Sequence, residues 1–274
     1  MKDLYLDIAE RVSTMYTKRY STSFSMATRL FDQSIRQDIY NIYGFVRVAD
    51  EIVDTYAGRD ALAMLNEFEQ QTYKDLGRGY STNPVLHAFI TTCKRVGITK
   101  KLIAPFIQSM LIDATPDMYK TSMYKKYIYG SAEVVGLMCL KVFVAGDEKQ
   151  YARLERGAKA LGSAYQKVNF LRDIADDHDR LGRYYFPIGS YDTFNEQTKK
   201  RVITDIQADF AIAQKAISQL PLTARQAVYT SFVYYSKLLV EIQKTPAETL
   251  RQQRVRVPDW KKVLLLIKVK VLAL

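Results

Sequence analysis

The segment DQSIRQDIYNIYGFVRVADEIVDTY (32–56) decides the architecture. Wound at helical pitch, Tyr43, Arg47, Asp50 and Asp54 fall at relative positions 0, 4, 7 and 11, on one face. Between them stand Phe45, Val46, Val48, Ala49, Ile52 and Val53. A face turned to bulk water normally has more polar neighbours. The pattern therefore predicts a helix whose polar seam points into the protein, opened by Phe31 or by Asp32 as N-cap.

The same device recurs about 120 residues later in GSAYQKVNFLRDIADDHD (162–179). Gln166, Asn169, Asp173 and Asp177 fall at 0, 3, 7 and 11, among Val168, Phe170, Leu171, Ile174 and Ala175. Asp176 adds a carboxylate beside the pair. Each helix thus carries two aspartates one turn apart.

Helical periodicity extends outward from these two segments. Helices are expected at 4–18, 60–76, from Asn83-Pro84 onward, and at 99–114, 123–144, 149–178, 196–219 and 222–245. A short one follows Pro258. Stops are expected at Gly58, Gly77-Arg78-Gly79, before Pro116 and at Gly146-Asp147, with a loop over LGRYYFP (181–187). Glycine (12) and proline (7) are too few to punctuate a many-stranded β fold. No repeat or low-complexity linker divides the chain. The expected architecture is an all-α helical bundle in a single domain, 1–274.

The net charge of +11 calls for an anionic partner: a phosphate, a membrane surface or nucleic acid. The lysines are spread along the chain and no helix–turn–helix or RNA-binding signature is present, so nucleic acid is the poorest fit. Cys93 and Cys139 stand far apart without metal-ligand spacing, against a disulfide framework or zinc site and consistent with a reducing cytoplasm. The start MKDLYLDIAERVS is broken by acids and does not read as a signal peptide. The tail VLLLIKVKVLAL (263–274) is too short to span a bilayer, though it could lie on the inner face of a membrane as a peripheral contact.

Paired aspartates flanked by amides and arginines suit metal–diphosphate chemistry. Mg²⁺ takes oxygen ligands, one or two carboxylates usually sharing it with phosphate oxygens. A guanidinium adds bidentate contacts to phosphate. One such pair alone is usually a solvated face or a salt-bridge partner. Two matched pairs, each set in apolar helix, shift the balance, because several buried carboxylates without a counter-ion are costly. Of the two histidines, His178 stands beside the second pair in DDHD, where a helix-end residue is the simpler reading than a ligand.

The chain resembles the squalene/phytoene synthase family. The segments that carry the likeness are YSTSFSMATRLF (20–31), IYGFVRVADEIVD (42–54), YIYGSAEVVGLM (127–138), GSAYQKVNFLRDIADD (162–177) and GRYYFP (182–187), with RVRV (254–257) weaker. The resemblance implies an isoprenoid-synthase bundle with a central cavity, condensing two prenyl diphosphates head to head through a presqualene-type cyclopropyl diphosphate. It implies that Asp50, Asp54, Asp173 and Asp177, with Asn169, hold Mg²⁺, for which Mn²⁺ could substitute. Arg47, Gln166 and Arg172 match positions around that site. Ser21, Ser23 and Phe24 match a flap-like segment. Tyr43, Tyr129, Arg183 and Tyr185 match positions near the diphosphates and reacting carbons, and Arg254 a phosphate-binding arginine. One departure lies at GSAEVVG (130–136), where many members read YVAGTVG. Glu133 replaces a small residue and Gly130 a bulky one.

GRYYFP and the compact length lean toward phytoene, from two geranylgeranyl diphosphates and without NADPH. Squalene or dehydrosqualene from farnesyl diphosphate is the alternative. Thr28, one turn beyond Phe24, is the expected depth gauge of the pocket. A catalytically silent assembly factor of the same fold would have lost its aspartates, and all four are present.

Overall fold

The computed structural model describes residues 3–55, 60–114 and 121–255, with backbone alone at 22–24 and 121–122. Among the described residues the ordered elements are all helical. They run α1 (Leu4–Tyr20), α2 (Thr22–Thr28), α3 (Gln33–Thr55), α4 (Ala61–Arg78), α5 (Pro84–Val96), α6 (Lys100–Asp113) and α7 (Thr121–Ile128). A π-helical turn (Tyr129–Glu133) leads into α8 (Val134–Phe143). Then come α9 (Glu148–Leu181), α10 (Glu196–Ile217), α11 (Leu222–Lys244) and α12 (Ala247–Leu250).

Local chemistry sets these boundaries. Asp32 caps α3, its Oδ1 accepting from the Ser34 amide at 2.9 Å. Asn83 accepts from the Val85 and Leu86 amides at the start of α5, and Asp147 from those of Lys149 and Gln150 at the start of α9. α9 ends at Gly182, in the left-handed conformation (φ 64°). The expected stops at Gly58 and Pro116 and the helix after Pro258 lie outside the described residues.

Two elements depart from expectation. Residues 22–28 form a helix of their own, and 247–250 add a turn after Pro246. The 123–144 segment is one helical run, but five of its residues widen into the π turn. Gly130 lies where that turn presses on α6: a Cβ there would stand 2.3 Å from the Pro105 carbonyl oxygen.

α3 faces two ways. Its back face buries Ile42, Phe45, Ala49 and Ile52. Phe45 is fully buried, stacked on Phe89 with centroids 3.9 Å apart and within 5.5 Å of Phe68 and Phe106. Its ring ties α3 to α4, α5 and α6, and such aromatic burial dominates core energetics. α9 packs along α10 on one side and α8 on the other. Where α9 meets the π turn, a Cβ on Gly162 would stand 2.6 Å from the Ala132 carbonyl oxygen, so only glycine allows this approach. Both aspartate helices are thereby fixed by their apolar faces, leaving the polar seams for the space between them.

Candidate active site

Between α3 and α9 lies a cavity of about 980 Å³. Tyr43, Arg47, Asp50 and Asp54 line it from one side, and Gln166, Asn169, Asp173 and Asp177 from the other. Ser21, Arg172, Arg183, Tyr185 and Arg254 also reach its wall. The two seams read from spacing therefore share one space. The side chains of Ser23 and Phe24 lie outside the described residues.

The first seam is held by ion pairs. Arg47 donates from Nη2 to Glu51 Oε2 at 2.6 Å and stands 3.8 Å from Asp50 Oδ2, its guanidinium 4.3 Å above the Tyr20 ring. Glu51 thus sets the direction in which Arg47 points. Burial pushes the Asp50 carboxyl up to about 7; Arg47 opposes this, while Asp54 and Asp113 add to it. Asp50 keeps 32% of its side-chain surface open. That surface lines the cavity. Burial also pushes the Tyr43 phenol up to about 12, against the pull of Arg47, and Tyr43 shares a side-chain hydrogen bond with Ser21.

The second seam is covered by arginines. Arg172 forks onto both oxygens of Asp173, and Arg254 Nε reaches Asp173 Oδ1 at 2.8 Å. Asp177 is less well compensated. Burial, then Asp173, pushes its carboxyl up to about 7 despite Arg183. Asn169 Oδ1 accepts from the Tyr235 hydroxyl at 3.3 Å.

Arg183 joins the walls. It is nearly inaccessible, donating from Nη1 to Asp54 Oδ1 at 3.2 Å and from Nη2 to the Asp113 carbonyl at 3.0 Å. Asp113 is a wall residue that sequence reasoning missed. It is buried, lines the cavity and accepts from the Tyr127 hydroxyl at 2.8 Å. The available signal was the one acid of α6, at its C-terminal end after a mostly apolar run.

The structure corrects the tyrosine assignment in YIYG (127–130). Tyr129 is not among the residues lining the cavity; its ring turns toward α9, with Lys159 Nζ 5.8 Å from its centroid. Tyr127 lines the wall instead and stacks on Tyr185, centroids 5.3 Å apart, which in turn stacks on Phe170 at 4.1 Å. Residues two apart on a helix point to nearly opposite sides, so only one of the two tyrosines can face the cavity. Glu133 does not line the cavity either: Lys159, Asp209 and Lys167 are the charges that act on it. Thr28 is fully buried and off the wall, whereas its neighbour Ala27 is on it.

An apolar annex of about 280 Å³ adjoins it, sharing Ala27, Ile39, Ser131, Cys139, Asn169 and Tyr235 with the main cavity. Phe31, Phe143, Leu154 and Leu220 lie along its far lining. An acidic, arginine-rich cavity and an apolar one therefore adjoin along shared walls, an arrangement that suits a lipid with an anionic head.

The family model for squalene/phytoene synthase matches residues 17–261. The chain belongs to the squalene/phytoene synthase family. Its relatives include a phytoene synthase of Arthrospira platensis, 29% identical over 91% of this chain and 88% of that protein. A 15-cis-phytoene synthase of Synechococcus elongatus is also 29% identical, over 90% and 87%. Among solved structures, a dehydrosqualene synthase in complex with ligand superposes with a TM-score of 0.81 at 20% identity, covering 98% of this chain and 97% of that one. A squalene synthase from Alicyclobacillus acidocaldarius gives 0.77 at 22% identity, over 88% and 95%. These two likenesses establish the isoprenoid-synthase fold. As a squalene/phytoene synthase family member the chain is a prenyltransferase of the head-to-head condensing class. Among the described residues no helix is long and apolar enough to cross a membrane.

Proposed function

We propose that the enzyme condenses two geranylgeranyl diphosphates to phytoene, releasing two diphosphates by way of a presqualene-type cyclopropyl diphosphate. One observation carries the reading: two aspartate seams face each other across a single cavity that shares its wall with an apolar annex. The seams suit the diphosphates and the annex suits a prenyl chain. The 29% identity to two phytoene synthases favours the twenty-carbon substrate.

The donor set is all oxygen and fits Mg²⁺ or Mn²⁺. Among the described residues no three acidic, histidine or cysteine side chains converge into a ready-made cage. Asp50, Asp54, Asp173 and Asp177, with Asn169, would hold the metal, and its positive charge would offset the charge of a leaving diphosphate.

The chain's own residues do the rest. Arg47, aimed by Glu51, and Arg172 and Arg254, now spent on Asp173, donate to the diphosphates. The stacked rings of Phe170, Tyr185 and Tyr127 give the carbocations a water-poor wall with attractive faces. Tyr43 is pushed up to about 12 and Tyr185 upward as well, so at neutral pH both are neutral hydroxyl donors rather than bases. Asp50→Asn and Asp173→Asn test the seams: each abolishes release of inorganic pyrophosphate from prenyl diphosphate while far-ultraviolet dichroism stays unchanged. Undiminished release in either variant sinks the assignment.

A further inference from the structure

Tyr191 belongs to the loop between α9 and α10 and to neither aspartate seam. Its ring lies flat on the His178 imidazole, centroids 3.6 Å apart and planes within 4°. Its hydroxyl donates to the Arg251 carbonyl at 2.5 Å, and the Arg251 guanidinium stands 6.0 Å from the ring centroid. Arg251 Nη1 also donates to the Asp192 carbonyl at 3.2 Å. Three residues on, Arg254 meets Asp173 at 2.8 Å and Asp176 at 3.9 Å.

These contacts form one chain of support. His178 lies one residue beyond Asp177 on α9. Residues 251–255, after α12, lack regular structure beyond a first turn, and a long arginine on such a stretch would otherwise have to be ordered at each binding event. The clasp is partly open to solvent, with the His178 side chain 42% exposed, so it does not serve as core.

We propose that Tyr191, seated on His178, is a positioning residue for Arg254: it fastens the 251–255 segment to the aspartate-bearing end of α9 and so presents Arg254 to a bound diphosphate. The inference rests on the reading of the cavity as a prenyl diphosphate site. It gives His178 a task other than ligation, as the flat platform of the clasp.

The test uses the full chain with Mg²⁺, reading inhibition by inorganic pyrophosphate, KM for prenyl diphosphate, kcat and thermal midpoint. Arg254→Ala raises the inhibition constant and KM about tenfold, the loss of one charged contact. Tyr191→Phe, which removes only the hydroxyl, and His178→Ala, which removes the platform, each reproduce most of that loss with kcat held within about threefold. His178→Phe, which keeps a flat ring, restores near-normal values. Tyr191→Phe adds nothing in the Arg254→Ala background. Multiplying losses in the double variant, or an unaltered constant in Tyr191→Phe alone, overturn the proposal. An Arg254→Ala enzyme with unaltered pyrophosphate inhibition removes the contact being positioned, and the proposal with it. The seam variants above would still test the diphosphate reading separately.

Discussion

Arg183 donates to Asp54 across 3.2 Å, joining the loop after α9 to the last turn of α3. The other arm of the same guanidinium holds the Asp113 carbonyl. The two walls of the cavity are thus set relative to each other by one buried, planar fork. Lysine offers a point charge instead of a fork. Arg183→Lys should lower kcat/KM by roughly 10- to 100-fold through misplacement of Asp54. Arg183→Met strands Asp54 and the Asp113 carbonyl and should cost about 3 kcal/mol, the lower end for breaking a buried pair because Asp54 is partly exposed. Urea unfolding and steady-state turnover check the two figures separately.

Asp50 and Asp177 are each pushed up to about 7, chiefly by burial. Between about pH 4 and 7 the native metal-free protein keeps protons that the unfolded chain has released. The contribution of these two groups to stability therefore falls as pH rises through that window and levels off above it. Thermal midpoints in chelator should decline from pH 5 to pH 7.5. Mg²⁺ with pyrophosphate binds the ionised forms, so its stabilising increment should grow over the same range. A midpoint that rises with pH in chelator contradicts the assignment.

The same crowding predicts opposite effects on stability and activity. Asp50→Asn removes a carboxylate that like charges and burial disfavour. The metal-free variant should melt higher than the parent at pH 7.5, by a few degrees for about 1 kcal/mol, although it turns nothing over. A lower midpoint would mean that Asp50 is held by its contacts with Arg47 rather than strained by its neighbours.

Substrate length should respond at Ala27 rather than Thr28. Ala27 lines both the main cavity and the annex, whereas Thr28 is sealed in the packing. Ala27→Phe should shift competition between geranylgeranyl and farnesyl diphosphate toward the shorter chain. Thr28→Phe should overpack its surroundings and cost about 1–3 kcal/mol. Product ratios from mixed substrates, read with melting curves, separate the two positions.

The two seams were legible because helical periodicity is a strong signal over twenty residues and apolar flanks give each seam a direction. Asp32, Asn83 and Gly79 marked helix ends by residue type alone. What spacing could not give was phase within a short aromatic segment. Tyr127 and Tyr129 carry the same side chain two residues apart, and packing against α6 and α9 decides which one faces inward. Residues 22–28 were not read as a helix because TSFSMAT is rich in serine and threonine, weak helix formers. Asp113 escaped because it carries no motif of its own; only the fold brings it beside Tyr127 and Arg183. The segment from 256 onward, with its expected membrane contact, lies outside the described residues.

Product mass from purified enzyme is the most direct measure of the account. Geranylgeranyl and farnesyl diphosphate are supplied separately with Mg²⁺, each with and without NADPH. The predicted result is phytoene from geranylgeranyl diphosphate, with no dependence on NADPH and two pyrophosphates released per product. Condensation of farnesyl diphosphate alone, or a hydrocarbon formed only when NADPH is present, would contradict it.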